Sequence, residues 1–467
     1  RITFSRQGAS VALGARPLAA WPTMLSIFTR NVCCSVRDKD MRARGLGRGA
    51  DMAHFTVGEV NLPTEKPSLM AFSPLWQSNV VGIRRLAVAG ERVVNVYNLS
   101  SQPPNAMLGV GVGSDESAAG TMQAERTLVL EEGHEITAVL FGDEDTSRHL
   151  ILAYGPSGSS SSSTSGPAQG RHPVRIWNCE PDAGSTDVWR QDDGYIASLE
   201  DHRAPVTRIA VSSTYLLTAD TGGECRVWQK SRNFQPRAVA RLHQSGGVSD
   251  LAVDRLFAYS VGGQDLSVRV WSMPEMKQVL NISADTAECA LALPIAPSSE
   301  ASMLPSCSCR LSQLTAVRRP TSRWSGAQAS TRNSGIPRGV LFVAGTVADK
   351  QDSTAAVCAG AGVLMEWVLG STPCCQSSQV AHDSPIVALA YGPYDNGPLV
   401  TADAWGVFRV WDYTPRLWCS QQVLTEDLAQ PTTVAISVDP IQRTVYSLVC
   451  GRKLCVWRQS SFADHAA

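Results

Sequence analysis

The sequence predicts an all-β chain, and three observations predict it. The first is a block written twice between Asp201 and Trp271. Each copy has a histidine (His202, His243), an alternating strand, a second strand, a glycine pair and an Arg-Val-Trp strand ending at Trp228 or Trp271. The two tryptophans stand 43 residues apart, and a period near 40 made of short strands and glycine turns is that of a propeller blade. The second is that five further groups of short strands follow the same order. The third is that the last group has only three strands, while a strand-like segment at 54–60 precedes the first group with nothing to pair with. The expected fold is therefore a single seven-bladed β-propeller at 52–463, its last blade completed by the N-terminal strand, which leaves no open sheet end.

Residues 1–51 have a different texture, with nine basic residues against three acidic ones. An Arg-rich, acid-poor leader fits an organelle transit peptide; the change at Met52 fits an upstream extension before the true start, and this second reading is preferred. Either way the leader is expected to be disordered.

His54-Phe55-Thr56-Val57-Gly58-Glu59-Val60 alternates as a strand with one buried face does. The first blade follows at Ser68–Phe72, Leu86–Ala89, Val93–Tyr97 and, after an insert at about 99–126, Thr127–Leu130. The second takes Ile136–Phe141, Leu150–Tyr154, Val174–Trp177 and Ile196–Leu199, interrupted at about 155–172 by a Ser/Gly tract too polar to order itself. The repeated block supplies the third and fourth. In the fifth, Cys289–Leu293, Val340–Val343 and Val363–Trp367 are the expected strands, with a basic, serine-rich disordered insert at 294–338 holding six arginines against Glu300 alone. The sixth runs through Ile386–Tyr391, Leu399–Asp403 and Phe408–Asp412, and the seventh through Val434–Val438, Val445–Leu448 and Leu454–Trp457.

Totals narrow the function. Of 467 residues, 43% are apolar, and no apolar run reaches the roughly 18 residues that cross a bilayer. Lys+Arg of 41 against Asp+Glu of 42 argues against nucleic-acid binding by bulk charge. The 13 cysteines lack zinc-ligand or disulfide-framework spacing, Cys307/Cys309 and Cys374-Cys375 being the close pairs, so no metal is expected and a reducing compartment, cytoplasm or nucleus, is. An organelle enters only if 1–51 is a transit peptide.

The chain resembles the WD-repeat β-propeller family over about 52–460. The family opens a blade with Gly-His and closes its third strand with Trp-Asp; Gly133-His134 and Trp411-Asp412 keep those dipeptides, and the other third strands end on Tyr97, Trp177, Trp228, Trp271, Trp367 and Trp457. The resemblance implies a buried His, Ser/Thr, Asp, Trp hydrogen-bonded network in each blade. By spacing from the tryptophan, the fourth blade carries it as His243, Ser260, Asp265 and Trp271. In the third and sixth, with His202, Trp228, His382 and Trp411, the aspartate position holds Gly222 and Trp405, and Asp220 and Asp403 stand two residues earlier. The full network is therefore expected in the fourth blade alone.

No phosphate-binding loop, His-Glu-x-x-His or Gly-x-Ser-x-Gly motif is present. The chain reads as non-enzymatic, without cofactor or small-molecule substrate. Arg175, Arg226, Arg269 and Arg409 recur two residues before a tryptophan; aliphatic stems packed beside it, with solvated heads, account for them better than a nucleic-acid stripe. Loops between second and third strands and between blades share one face, and there the expected partner-binding residues are Trp405, Glu135, Arg203, Gln244, Asp383, Thr221 and Gln264. Packing over the channel rim is an equal reading of Trp405. Arg318-Arg319-Pro320 precedes Thr321 and Ser322, two candidate phosphosites. The expected function is a scaffold for protein or peptide partners. A ubiquitin-ligase substrate receptor ranks lower, since no third strand reads Trp-Asp-x-Arg, and an RNA-processing or RNA-modification cofactor would rest on the arginines of 294–338.

Overall fold

The structure is a computed structural model, and it describes residues 55–61, 68–73, 84–99, 124–143, 146, 148–157, 172–179, 188–190, 195–243, 247–254, 256–262, 267–283, 309–317, 339–347, 360–391, 399–411, 417–422, 433–439, 444–449 and 453–459. Antiparallel four-stranded sheets follow one another along the chain. The second sheet holds His134–Phe141, His149–Pro156, Val174–Asn178 and Tyr195–Leu199; the third holds Val206–Val211, Tyr215–Asp220, Glu224–Gln229 and Gln235–Arg241. The fourth is built from Val248–Val253, Phe257–Gly262, Ser267–Ser272 and Lys277–Ser283. Cys309–Val317, Gly339–Val347, Gly362–Leu369 and Cys374–His382 form the fifth; Ile386–Tyr391, Leu399–Asp403, Val407–Trp411 and Leu417–Gln422 form the sixth. The last sheet joins Thr433–Asp439, Thr444–Val449 and Lys453–Gln459 to the N-terminal strand Phe55–Asn61, which pairs antiparallel with Lys453–Gln459. The innermost strands of successive sheets pack side by side, and that of the last sheet packs against Leu69–Phe72 of the first, so the array returns on itself as a β-propeller.

Three departures from the sequence-based picture have physical causes. Only six of the sheets have the expected four strands. The first holds Leu69–Phe72, Arg85–Ala89, Val93–Asn98 and Ala124–Val129, and gains a fifth strand, Val188–Arg190, from the connection inside the second sheet. That strand runs parallel to Ala124–Val129, with Thr127 opposite Val188 and Val129 opposite Arg190. Its three residues carry no periodicity to read. The fifth sheet's inner strand is Cys309–Val317 rather than Cys289–Leu293, so part of the expected insert at 294–338 is strand. Its alternation in the sequence is broken by a register shift between Leu311 and Gln313, which brings Leu311, Leu314 and Ala316 into phase opposite Gly345, Val343 and Leu341 despite their odd spacing. The expected insert at 99–126 likewise ends where Ala124 begins a strand. The leader 1–51 lies outside the described residues.

Apolar layers lie between neighbouring sheets. Second strands are covered on both faces, and so Tyr215–Asp220 and Phe257–Gly262 are buried at every position. Ile151, Val174 and Ile176 of the second sheet meet Val206, Leu216, Trp228 and Phe234 of the third. Val261, Val268 and Val270 of the fourth pack in the same way on Leu341, Val343 and Trp367 of the fifth. Such layers respond sharply to lost volume. Leu216→Ala is expected to lower unfolding free energy by about 2–5 kcal/mol, whereas Val239→Ala, on the exposed outer strand, changes it by less than about 0.5 kcal/mol; urea denaturation measures both.

Candidate functional site

The loops of one propeller face are held from below by side-chain networks, and the sheet register decides where these form. In the third sheet Asp220 stands opposite Val206, the first residue of the inner strand, and Thr218 opposite Ile209. The Asp220 carboxylate lies 3.1 Å from His202 Nδ1, and His202 Nε2 lies 2.7 Å from Thr218 Oγ1. Trp228 Nε1 donates to the same hydroxyl at 2.9 Å. The sixth sheet repeats this: Asp403 stands opposite Ile386, His382 Nε2 is 2.6 Å from Thr401 Oγ1, Trp411 Nε1 donates to Thr401 at 2.8 Å, and His382 Nδ1 faces Asp403 Oδ2 at 3.3 Å. In the third sheet the ring nitrogen facing the carboxylate carries the proton and the other accepts from the threonine, giving one chain from indole through hydroxyl and imidazole to carboxylate; in the sixth the imidazole approaches the carboxylate without hydrogen-bond geometry.

The third and sixth sheets thus carry the network that spacing from the tryptophan denied them, because register places the acid there. In the fourth sheet the residue opposite Val248 is Gly262. His243 Nε2 reaches Ser260 at 2.9 Å, but Trp271 Nε1 has no hydrogen-bond partner among the described residues, and Asp265 lies outside them. In the second sheet Tyr154 stands opposite Ile136, and His134 packs edge-on against its ring at 5.8 Å instead.

Each aspartate also shapes the turn above it. Asp220 Oδ1 accepts from the backbone N–H groups of Gly222 and Glu224, both at 3.0 Å. Asp403 Oδ1 accepts from Trp405 at 3.0 Å and Val407 at 2.8 Å. Gly223, at φ +81°, is required in this turn, since a Cβ there would meet the His243 carbonyl oxygen at 2.3 Å. His202, Asp220 and Glu224 come close enough to suggest a metal site. The donors are already committed: Asp220 to the imidazole and two amides, Glu224 to Arg226 at 2.7 Å.

Burial pushes the His382 pKa down to about 4, the Asp403 contact only partly opposing it. For Asp403, burial acts upward, but the His382 ring and the Val407 amide outweigh it and hold the carboxyl below its usual range.

On the face above, Trp405 is 63% exposed, the most open of the large apolar side chains described. The backbone N–H of its neighbour Ala404 bonds to the Pro385 carbonyl at 2.9 Å, which brings the Trp405 turn beside the loop that exposes Asp383. Thr221 is tied in the same way to Pro205, beside exposed Arg203. Glu135 is exposed on the second sheet's inner strand, while Gln244 and Gln264 lie outside the described residues, as do Thr321 and Ser322. Of the basic insert, Arg310 belongs to the strand Cys309–Val317, not to a loop.

The heads of the recurring arginines make specific contacts. Arg269 donates to the Leu242 carbonyl at 2.7 Å and Arg409 to the Ala381 carbonyl, in each case the residue just before the network histidine. Arg226 pairs with Glu224 and lies 3.5 Å from Asp201, and Arg175 sits over the rings of Tyr154 and Tyr195. They fasten the ends of outer strands, a role that the tryptophan spacing alone did not reveal.

No family model and no curated protein matches the chain. Among solved structures, a chain of the mitotic checkpoint complex matches with a TM-score of 0.55 at 14% identity, over 89% of this chain and 94% of that one. Raptor from Chaetomium thermophilum matches with a TM-score of 0.55 at 12% identity over 91% of this chain, which spans 30% of the Raptor chain. At such identities the likeness is one of fold, and the class it defines is a β-propeller.

Two outcomes test the networks. In the unfolded chain His382 titrates near 6.5 and in the folded one near 4. Between these values the unfolded state binds the extra proton, so stability falls as pH is lowered from about 6.5 to about 4. Denaturation midpoints measured across that window should drop, and His382→Gln should flatten the slope. Trp228→Phe and Trp411→Phe should each cost about 1 kcal/mol more than Trp271→Phe, because only the first two lose an indole hydrogen bond; thermal melts of the three variants decide it.

Proposed function

We propose that the chain is a diverged WD-repeat propeller, a closed ring of seven sheets, that works as a non-enzymatic scaffold and binds protein or peptide partners on the face carrying Trp405. The observation that carries this reading is Trp405 itself. A large apolar ring stands in a tight turn whose backbone is fastened by Asp403 and by Pro385, so little conformational entropy is lost when a partner covers it. Asp383 beside it supplies a polar rim, the arrangement in which an aromatic anchor contributes most. The solved structures that share the fold include a protein complex, in keeping with protein partners.

Affinity purification from cells with wild type and Trp405→Ala tests the reading. A partner held at this face should bind roughly thirty-fold more weakly to the variant, the loss of about 2 kcal/mol typical of an aromatic hot spot. The melting temperature should stay close to that of wild type, since the removed ring is exposed. Unchanged recovery of every partner would overturn the choice of face.

A further inference from the structure

We propose that the anchor received at Trp405 is a cationic side chain, an arginine in a basic segment of a partner protein; this rests on the reading that partners bind at this face. The site combines an exposed aromatic ring with an exposed carboxylate on the neighbouring loop. The Trp405 side chain is 63% exposed. The loop that carries exposed Asp383 is tied to the Trp405 turn by the bond from the Ala404 N–H to the Pro385 carbonyl at 2.9 Å. Asp403 holds the turn itself through the amides of Trp405 and Val407. The two loops therefore keep their relation before a partner arrives.

An indole face attracts cations through its quadrupole, and a carboxylate attracts them by its charge. A guanidinium satisfies both at once, its plane against the ring and its N–H fork toward the carboxylate. An apolar anchor would crowd the Asp383 carboxylate without offering it a hydrogen bond, which is costly. The charge of the surrounding face points the same way. In the described connections between second and third strands and between sheets, the exposed charged residues are Glu91, Glu131, Glu132, Glu200, Asp201 and Asp383 against Arg203. A face of this sign steers a basic polypeptide toward it and repels nucleic acid, whose charge it shares. The ring and carboxylate give that attraction a point of contact.

The test probes the full chain with arrayed short peptides of randomised flanks whose central residue is arginine, lysine, leucine or glutamate, and measures the best binders by fluorescence anisotropy. Arginine-centred peptides should bind roughly ten-fold more tightly than leucine-centred ones. Their affinity should fall roughly ten-fold in Trp405→Leu, which keeps an apolar side chain but removes the aromatic face, and roughly five-fold in Asp383→Asn. Raising salt from about 50 to about 300 mM should weaken them further. Both residues are exposed, so the variants should melt with wild type; should one fail to fold, the salt response and the arginine preference of wild type still decide. Leucine- or glutamate-centred peptides that bind best and lose affinity in Trp405→Ala, but not in Asp383→Asn, would overturn the cationic anchor and leave this face as the binding surface. Binding that Trp405→Ala leaves untouched, or no binding to any peptide, would overturn both.

Discussion

A single carboxylate at the end of a second strand holds two connections together. One oxygen of Asp220 meets the imidazole arriving from the preceding sheet, and the other gathers the amides of the turn into the third strand. Asp403 does the same beneath Trp405. A buried polar group is costly unless satisfied, and satisfaction here needs the histidine loop, the turn and the inner strand in register at once. The loops of this face therefore inherit the rigidity of the sheets below.

The second and fourth sheets differ at the position across from the inner-strand residue that precedes the register shift. The second sheet replaces threonine and aspartate with Leu152 and Tyr154, turning a hydrogen-bonded chain into ring packing. The fourth keeps His243 and Ser260 but has Gly262 in the aspartate's place. Arginines fasten the carbonyls that precede His243 and His382 alike. The face thus has stiff portions over the third and sixth sheets and differently built ones between them.

The outer strands follow a second regularity. In the first six sheets the outermost antiparallel pairing shifts register opposite the tryptophan or Tyr97, while Phe55–Asn61 runs straight along Lys453–Gln459. A bulge increases local twist and turns an edge away from neighbours. Beyond the bulge, each edge's fate depends on its side chains and on what the chain sends past it, as Val188–Arg190 shows on the first sheet.

The repeat of near 40 residues and the need for the N-terminal segment to pair elsewhere were legible in the sequence, because period-2 alternation and glycine turns are local signals. Trp405 was legible as well, as a large ring in a turn. The inner strand Cys309–Val317 was hidden by a mid-strand register shift and basic composition, and Val188–Arg190 by its brevity. Which sheets complete the polar network lay beyond the sequence for a different reason. Distance along the chain from the tryptophan denied the third and sixth sheets an acid, but a hydrogen bond depends on which residue stands across the ladder, and only the paired strands put Asp220 opposite Val206 and Asp403 opposite Ile386.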